Sequence, residues 1–395
     1  MSVWDDVIGQ PEAVRVLARA AQAAGAQLGD LLAEDAAERT GMTHAWLFTG
    51  PPGSGRSTAA RAFAAALQCP QGGCGTCHAC RTGLSGAHAD VTVITTEHVH
   101  LRLEDVRPLV SLAQQRPSSG RWRVIVVEDA DRLNDTSGNL LLKAVEEPPP
   151  RTVWLLCAPS PEDVLVTIRS RCRHVGLRVP PAEDVAALLV RRDGVDPAVA
   201  AFAARAASSH VGLARRLATD EGARIRRREV LRLPERVTGV GAAVLAAGQL
   251  VEVAGEEAKA TTEQRDARER AELLHSLGAD GGGTLPPAVR SQLRQLEENQ
   301  KRRATRANRD VLDRALTDLL SLYRDVLVVQ LGAGVDLVNA EFAAEVNRMA
   351  AAGNAEGTLR RMDAIGRARA RIAANVAPLL AIEALMVQLR SGALG

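Results

Sequence analysis

Residues 50–58 read Gly-Pro-Pro-Gly-Ser-Gly-Arg-Ser-Thr. An apolar run, Ala45-Trp46-Leu47-Phe48, leads into them, and an alanine-rich run from Ala59 to Leu67 leads out. Strand, glycine loop and helix in that order constrain a chain more tightly than anything else here. The pattern matches the phosphate-cradling loop G-x-x-x-x-G-K-[ST] at Gly50, Gly55 and Ser57, and departs from it at Arg56, where lysine is called for. In such a loop backbone N–H groups wrap the phosphates, the helix N-terminus adds favourable partial charge, and lysine acts as a compact point charge. Arginine keeps the charge but is longer, planar and forked, so it does not replace lysine in a cradle built for an ammonium. Gly50, Gly53, Gly55, Arg56, Ser57 and Thr58 are therefore the candidate nucleotide-binding residues, with the hydroxyls of Ser57 and Thr58 near the Mg²⁺ position.

Further along the chain, apolar runs alternate with helical patterns. Asp90 to Ile94 reads as a strand and Leu103 to Gln115 as a helix. Val124-Ile125-Val126-Val127 is a continuous apolar run, expected of a parallel strand buried on both faces. It ends in Glu128-Asp129, acidic residues at the strand end that faces a phosphate loop, where one can hold Mg²⁺ and the next can orient water. Asn139 to Glu147 reads as a helix stopped by Pro148-Pro149-Pro150, Val153 to Ala158 as another buried strand, and Val175 to Val179 as the last. Such alternation predicts an α/β fold with a parallel sheet. After Pro180 the strand signal ends. Ala182–Arg192, Pro197–Ala207 and Gly212–Thr219 read as three short helices, a lid-like bundle. Beyond roughly 225 the pattern is helical throughout: a long charged helix, a loop at Gly281-Gly282-Gly283 and Pro286-Pro287, a helix running to Leu331, and a last helix from Ile365 to Leu389. The leucine stripes (Leu312, Leu316, Leu319 and Tyr323 in one, Ile372, Leu385 and Leu389 in the other) read as bundle core or subunit interface. The expected division is 1–179, a P-loop α/β domain; 180–224, a helical lid; and 225–395, an all-α domain.

Cys69, Cys74, Cys77 and Cys80 fall within twelve residues, with two C-x-x-C steps sharing Cys77. Thiolates so spaced can turn back onto one ion, and four of them close a tetrahedral structural zinc site with no open position. His78 is a surplus ligand and reads as surface. With no signal peptide and no membrane-spanning run, the expectation is a cytoplasmic chain without membrane contact, where clustered cysteines suggest metal over disulfides. Cys157 and Cys172 read as small core residues. A net charge of +2 makes no overall electrostatic case for nucleic acid.

Taken together, residues 3–12 (Val-Trp-Asp-Asp-Val-Ile-Gly-Gln-Pro-Glu), the glycine loop, the cysteine knuckle, the Asn139–Pro149 segment and the triplet Ser170-Arg171-Cys172 resemble the bacterial clamp-loader ATPase family, a branch of the AAA+ proteins. The resemblance covers roughly residues 1–220. The helical remainder is similar to the family's collar domain in character only. It implies a place in the DNA polymerase III assembly, beside gamma/tau motor subunits and a delta subunit, that opens a sliding clamp and loads it on primer-template DNA. In that family the arginine of Ser-Arg-Cys reaches a neighbouring subunit's nucleotide, so Arg171 is the implied trans arginine finger. Hydrolysing members carry Asp then Glu where this chain has Glu128 then Asp129, a polar threonine where it has Cys157-Ala158-Pro159, and a sensing arginine in the lid for which Arg215 is a candidate. These departures, with Arg56, make the chain resemble the stator branch, the delta-prime kind. Binding of ATP or ADP is then compatible with the retained glycines, and hydrolysis is not expected. Two alternatives stay open: an active gamma/tau-like ATPase, and a zinc-containing DNA-binding regulatory module.

Overall fold

In the computed structural model the described residues are 2–27, 41–96, 101–277 and 286–390. They form two compact units, Met1–Thr219 and Asp220–Gly395. The expected glycine loop at 281–283 lies outside the described residues.

The first unit opens with helix α1 (Pro11–Gln27). The strands β1 (Ala45–Thr49), β2 (Val91–Ile94), β3 (Arg123–Val127), β4 (Thr152–Ala158) and β5 (Arg173–Gly176) make one parallel sheet in the order β2-β3-β4-β1-β5. Every residue of β1, β3 and β4 is buried. The alternation of side chains splits them between two cores. Trp46, Phe48, Val124, Val126, Val153, Leu155 and Cys157 meet α1 and helix α2 (Arg56–Gln68) on one face. Ala45, Leu47, Ile125, Val127, Trp154 and Leu156 meet the other face, where helices α4 (Leu103–Ala113) and α5 (Asp135–Glu146) lie. Helix α3 (His78–Ser85) packs on α2, with Gly83 close enough that a Cβ there would stand 2.9 Å from Ala65 Cα. The P-loop strand thus sits between β4 and β5 with both faces covered, which fixes the loop at its C-terminal end.

The short helix α6 (Val166–Arg169) precedes β5. Sequence pattern placed the last strand at 175–179, but pairing with β1 runs over 173–176 and stops after Leu177 N–H donates to Thr49 O at 2.7 Å. β5 is an edge strand with Val175 its one buried residue, so it tolerates Arg173 and His174, which hide it from an apolar scan. Helix α5 begins four residues before the expected Asn139. Asn134 caps it, accepting Ser137 N–H at 2.9 Å, with the Ser137 hydroxyl returning to Asn134. Three helices follow: α7 (Ala182–Asp193), α8 (Pro197–Ala206) and α9 (Val211–Thr219), within a residue of expectation.

The second unit holds α10 (Glu221–Arg236), α11 (Val240–Ser276), α12 (Pro287–Gln330), α13 (Ala343–Ala351), α14 (Ala355–Ala373) and α15 (Pro378–Leu389). Leu312, Leu316, Leu319 and Tyr323 of α12 pack with Ile365, Ile372, Ile382, Leu385 and Leu389 in one core, as the stripes predict. The single helix expected over 365–389 is two. Asn375 takes a left-handed φ of 66° and Pro378 starts the next helix, so the chain turns there and leaves Val376, Leu379 and Leu380 exposed.

Candidate functional site: a P-loop cavity with its charges already paired

Gly50 and Gly53 give the loop its shape. At Gly50 a Cβ would collide with the Leu177 carbonyl, and Gly50 N–H donates to Pro159 O at 3.1 Å just past the end of β4. Gly53 has φ +88°, and a Cβ there would stand 3.0 Å from His210 Cα, so the segment at 210 packs on the loop at that point. α2 starts at Arg56 with Gly55 as N-cap and no side chain capping it, which leaves its first N–H groups for a ligand. Ser54 Oγ is buried without a hydrogen-bond partner. Gln10 reaches in from ahead of α1, donating to Ser54 O at 3.2 Å and accepting from Arg178 N–H at 3.2 Å.

A cavity of about 510 Å³ opens over this loop. Val7, Ile8 and Leu188 supply an apolar wall; Gly53 to Thr58 supply the floor; Arg56, Arg61 and Arg192 supply positive charge. The uncapped helix end, the orphaned Ser54 hydroxyl and the basic lining fit the phosphates of a nucleotide, and the apolar wall fits its base.

The charged groups around the loop have partners from the chain itself. The Arg56 guanidinium folds back and donates to Gly50 O, a carbonyl of its own loop. Glu128 Oε1 accepts from Arg61 Nε at 2.9 Å, with the Glu128 side chain 13% exposed. Asp129 Oδ2 accepts the Thr96 N–H at 2.9 Å, and its other oxygen faces Arg132 Nε at 3.9 Å. Both carboxylates that could serve metal and water thus have partners from the chain. At the end of β4, Cys157 is buried and its thiol is pushed up by burial, then by the charge of Glu128; it offers no sensing hydroxyl.

The four cysteines come together as the spacing predicts. Their sulfurs all lie within 4.8 Å of one another, with Cys69 Sγ 3.7 Å from Cys74 Sγ and 3.8 Å from Cys77 Sγ. A tetrahedron of zinc–sulfur bonds near 2.3 Å has edges of about 3.8 Å, so the cluster is spaced as a bound zinc ion would need. Left-handed Gly72, Gly73 and Gly75 (φ 70°, 115° and 77°) fold the loop back. Backbone N–H groups of Gln71 and Cys74 point at Cys69 Sγ, and that of Cys80 at Cys77 Sγ, each at 3.4 Å. N–H groups of Thr76 and Cys77 pull the Cys74 thiol down to about 6, whereas burial pushes Cys80 up. His78 is exposed, as expected.

Residues 27–181 match the family described as DNA polymerase III, delta subunit. A gamma/tau subunit of DNA polymerase III from Mycobacterium tuberculosis is 37% identical over 155 residues, 38% of this chain and 27% of that one. A delta' subunit from Pseudomonas aeruginosa is 36% identical over 168 residues, 41% of this chain and 51% of that one. Over this region the chain is similar to clamp-loader subunits of DNA polymerase III. It spans between a quarter and about half of those curated relatives. A DNA polymerase III gamma subunit-related protein from Thermotoga maritima covers 88% of this chain and 93% of itself at 16% identity and a TM-score of 0.39.

Arg171 lies just past α6. Its guanidinium pairs with Glu146 at the end of α5 and donates to Thr167 O at 2.8 Å and Ser170 Oγ at 3.2 Å. That is the carboxylate contact an isolated arginine would be expected to find, but both partners stay more than a third exposed. Arg215, the candidate sensing arginine, pairs with Asp193 at 2.9 Å and does not line the cavity, although His210, Val211 and Gly212 of the same segment do. Sequence reading missed Arg61, Arg192 and His210. Arg61 carries no motif signal: it sits in an alanine-rich helix and finds Glu128 across 67 residues of chain. Among the described residues no helix is long and apolar enough to cross a membrane.

Proposed function

We propose that the chain is a non-hydrolysing, delta-prime-type stator subunit of the DNA polymerase III clamp loader. In this reading 1–179 is the ATPase-like body with a structural zinc on Cys69, Cys74, Cys77 and Cys80. Residues 180–224 are the lid, and 225–395 the collar that joins gamma/tau and delta subunits in the cytoplasm. The assembly loads the sliding clamp on primed DNA, and Arg171 acts on the neighbouring motor's ATP. The observation that carries the reading is the paired state of the P-loop site: Arg56 on Gly50 O, Glu128 on Arg61 and Asp129 on the Thr96 N–H. Arg171 supports it by cost. An ion pair as exposed as Arg171–Glu146 contributes about 0–1 kcal/mol. A finger worth roughly 10³–10⁵ in rate supplies about 4–7 kcal/mol to the partner's transition state. Releasing Glu146 to make that contact is a small charge against the gain.

The test is ATP turnover by the purified chain, alone and as Arg56→Lys. Phosphate release stays at background in both, because lysine at 56 leaves Glu128 on Arg61 and the two carboxylates in exchanged order. Turnover by the wild-type chain that Arg56→Ala abolishes would instead make it a gamma/tau-like motor, a reading favoured by its 37% identity to gamma/tau subunits.

A further inference from the structure

The charges around the P-loop cavity are unlike those of a metal-dependent nucleotide site. Three guanidiniums line it, from Arg56, Arg61 and Arg192, the last two paired with Glu128 and Asp193 behind the lining, and among the described lining residues Asp6 is the one carboxylate. In metal-dependent sites the cation stands between the loop's Ser/Thr hydroxyl and an acidic residue at a strand end, and it neutralises the terminal phosphates. Ser57 supplies the hydroxyl here. The acidic partner is Glu128, and its Oε1 is held at 2.9 Å by Arg61 Nε, from a side chain that itself lines the cavity. A divalent cation at that position would meet a fixed positive charge and would have to take Glu128 from it. Asp129 offers no substitute, since Oδ2 accepts the Thr96 N–H and Oδ1 faces Arg132. The Arg56 guanidinium rests on a neutral carbonyl, so no carboxylate cancels its charge.

We infer that this cavity takes a nucleoside di- or triphosphate as the free polyanion, with Arg61 standing where a metal-dependent site holds its divalent cation. The inference rests on the nucleotide-site reading above and adds that binding is independent of magnesium. Val7, Ile8 and Leu188 give the base a surface that inorganic triphosphate cannot use, so the nucleoside is part of the ligand.

Calorimetric titration of the full chain with ATP, in EDTA and in excess magnesium, tests this. ATP is expected to bind in EDTA at least as tightly as in magnesium, because complexation lowers the ligand charge that the guanidiniums read. Inorganic triphosphate is expected to bind more weakly than ATP in both. Arg61→Gln, checked for an unchanged melting curve, is expected to weaken binding in EDTA by about tenfold or more and to leave magnesium favourable. Glu128→Gln, which removes the carboxylate charge from Arg61 while keeping an acceptor oxygen, is expected to keep or tighten binding in EDTA. Wild-type binding about tenfold tighter with magnesium, no change on Arg61→Gln, or no ATP binding in either buffer would overturn the inference. Magnesium-dependent binding would do so without touching the non-hydrolysing reading, which turnover decides separately.

Discussion

Two arginines five positions apart, Arg56 and Arg61, hold partners within this P-loop site. Arg56 is visible in the sequence as a departure from lysine; Arg61 is visible only through Glu128, which it holds. The same logic of paired charge appears where it serves stability. Asp90, fully buried ahead of β2, accepts N–H bonds from Ser118 at 2.7 Å and Ser119 at 2.8 Å, and pairs with Arg123 at 3.0 Å. Burial alone would raise its pKa. The N–H groups of Ser118, Ser119 and Gly120 with the Ser118 hydroxyl outweigh burial and hold it well below the carboxylate range. A carboxylate depressed in this way contributes stability that is present above its unfolded value near 4 and is lost as pH falls toward the folded value. Asp90→Asn leaves a buried guanidinium without its counter-charge, a cost of about 3–5 kcal/mol, and should lower the melting temperature of the chain by on the order of 10 °C at neutral pH. Melting curves of wild type and variant should differ by a constant amount above about pH 5 and begin to converge as pH falls below about 4. A gap that persists unchanged at pH 3 would contradict this account of Asp90.

At the scale of the element, the knuckle between α2 and α3 is a loop whose fold depends on its sulfurs. Cys69 and Cys80 are buried and Cys74 and Cys77 half-buried, around left-handed glycines that give it no core of its own. Metal analysis of purified chain should find about one zinc per molecule, and Cys74→Ser should reduce it while lowering thermal stability. A chain without bound metal, or a variant with unchanged content, would rule the site out. The knuckle was legible in the sequence because four ligands lie within twelve residues and their geometry is local. The strands β1, β3 and β4 were legible because burial on both faces makes them continuous apolar runs. β5 was not, since an edge strand needs few apolar residues. The start of α5 was not, because the Asn134 cap outranks the apolar pattern that begins later, and the break at Asn375 lies inside an uninterrupted leucine stripe. In the site, the loop residues could be placed by spacing. Their partners could not: Arg61–Glu128, Arg171–Glu146 and Arg215–Asp193 are contacts of side chains brought together by folding, and no spacing encodes them.

For the molecule as a whole, the proposal moves catalytic work from the chain's own P-loop to a residue aimed outward. The loop still organises the first unit, as the point where β1, α2, Gln10 and the lid segment at His210 converge. Its carboxylates are held by the chain itself, whereas Arg171 is held by an exposed pair with Glu146 and by hydrogen bonds to Thr167 O and Ser170 Oγ. The most direct measurement is steady-state ATP hydrolysis by the clamp loader reconstituted with gamma/tau and delta, stimulated by clamp and primed DNA, comparing wild-type chain with Arg171→Ala. A trans finger predicts a loss of at least about a hundredfold at the neighbouring site, with assembly intact by sizing. Full hydrolysis by an assembled loader carrying Arg171→Ala would contradict it.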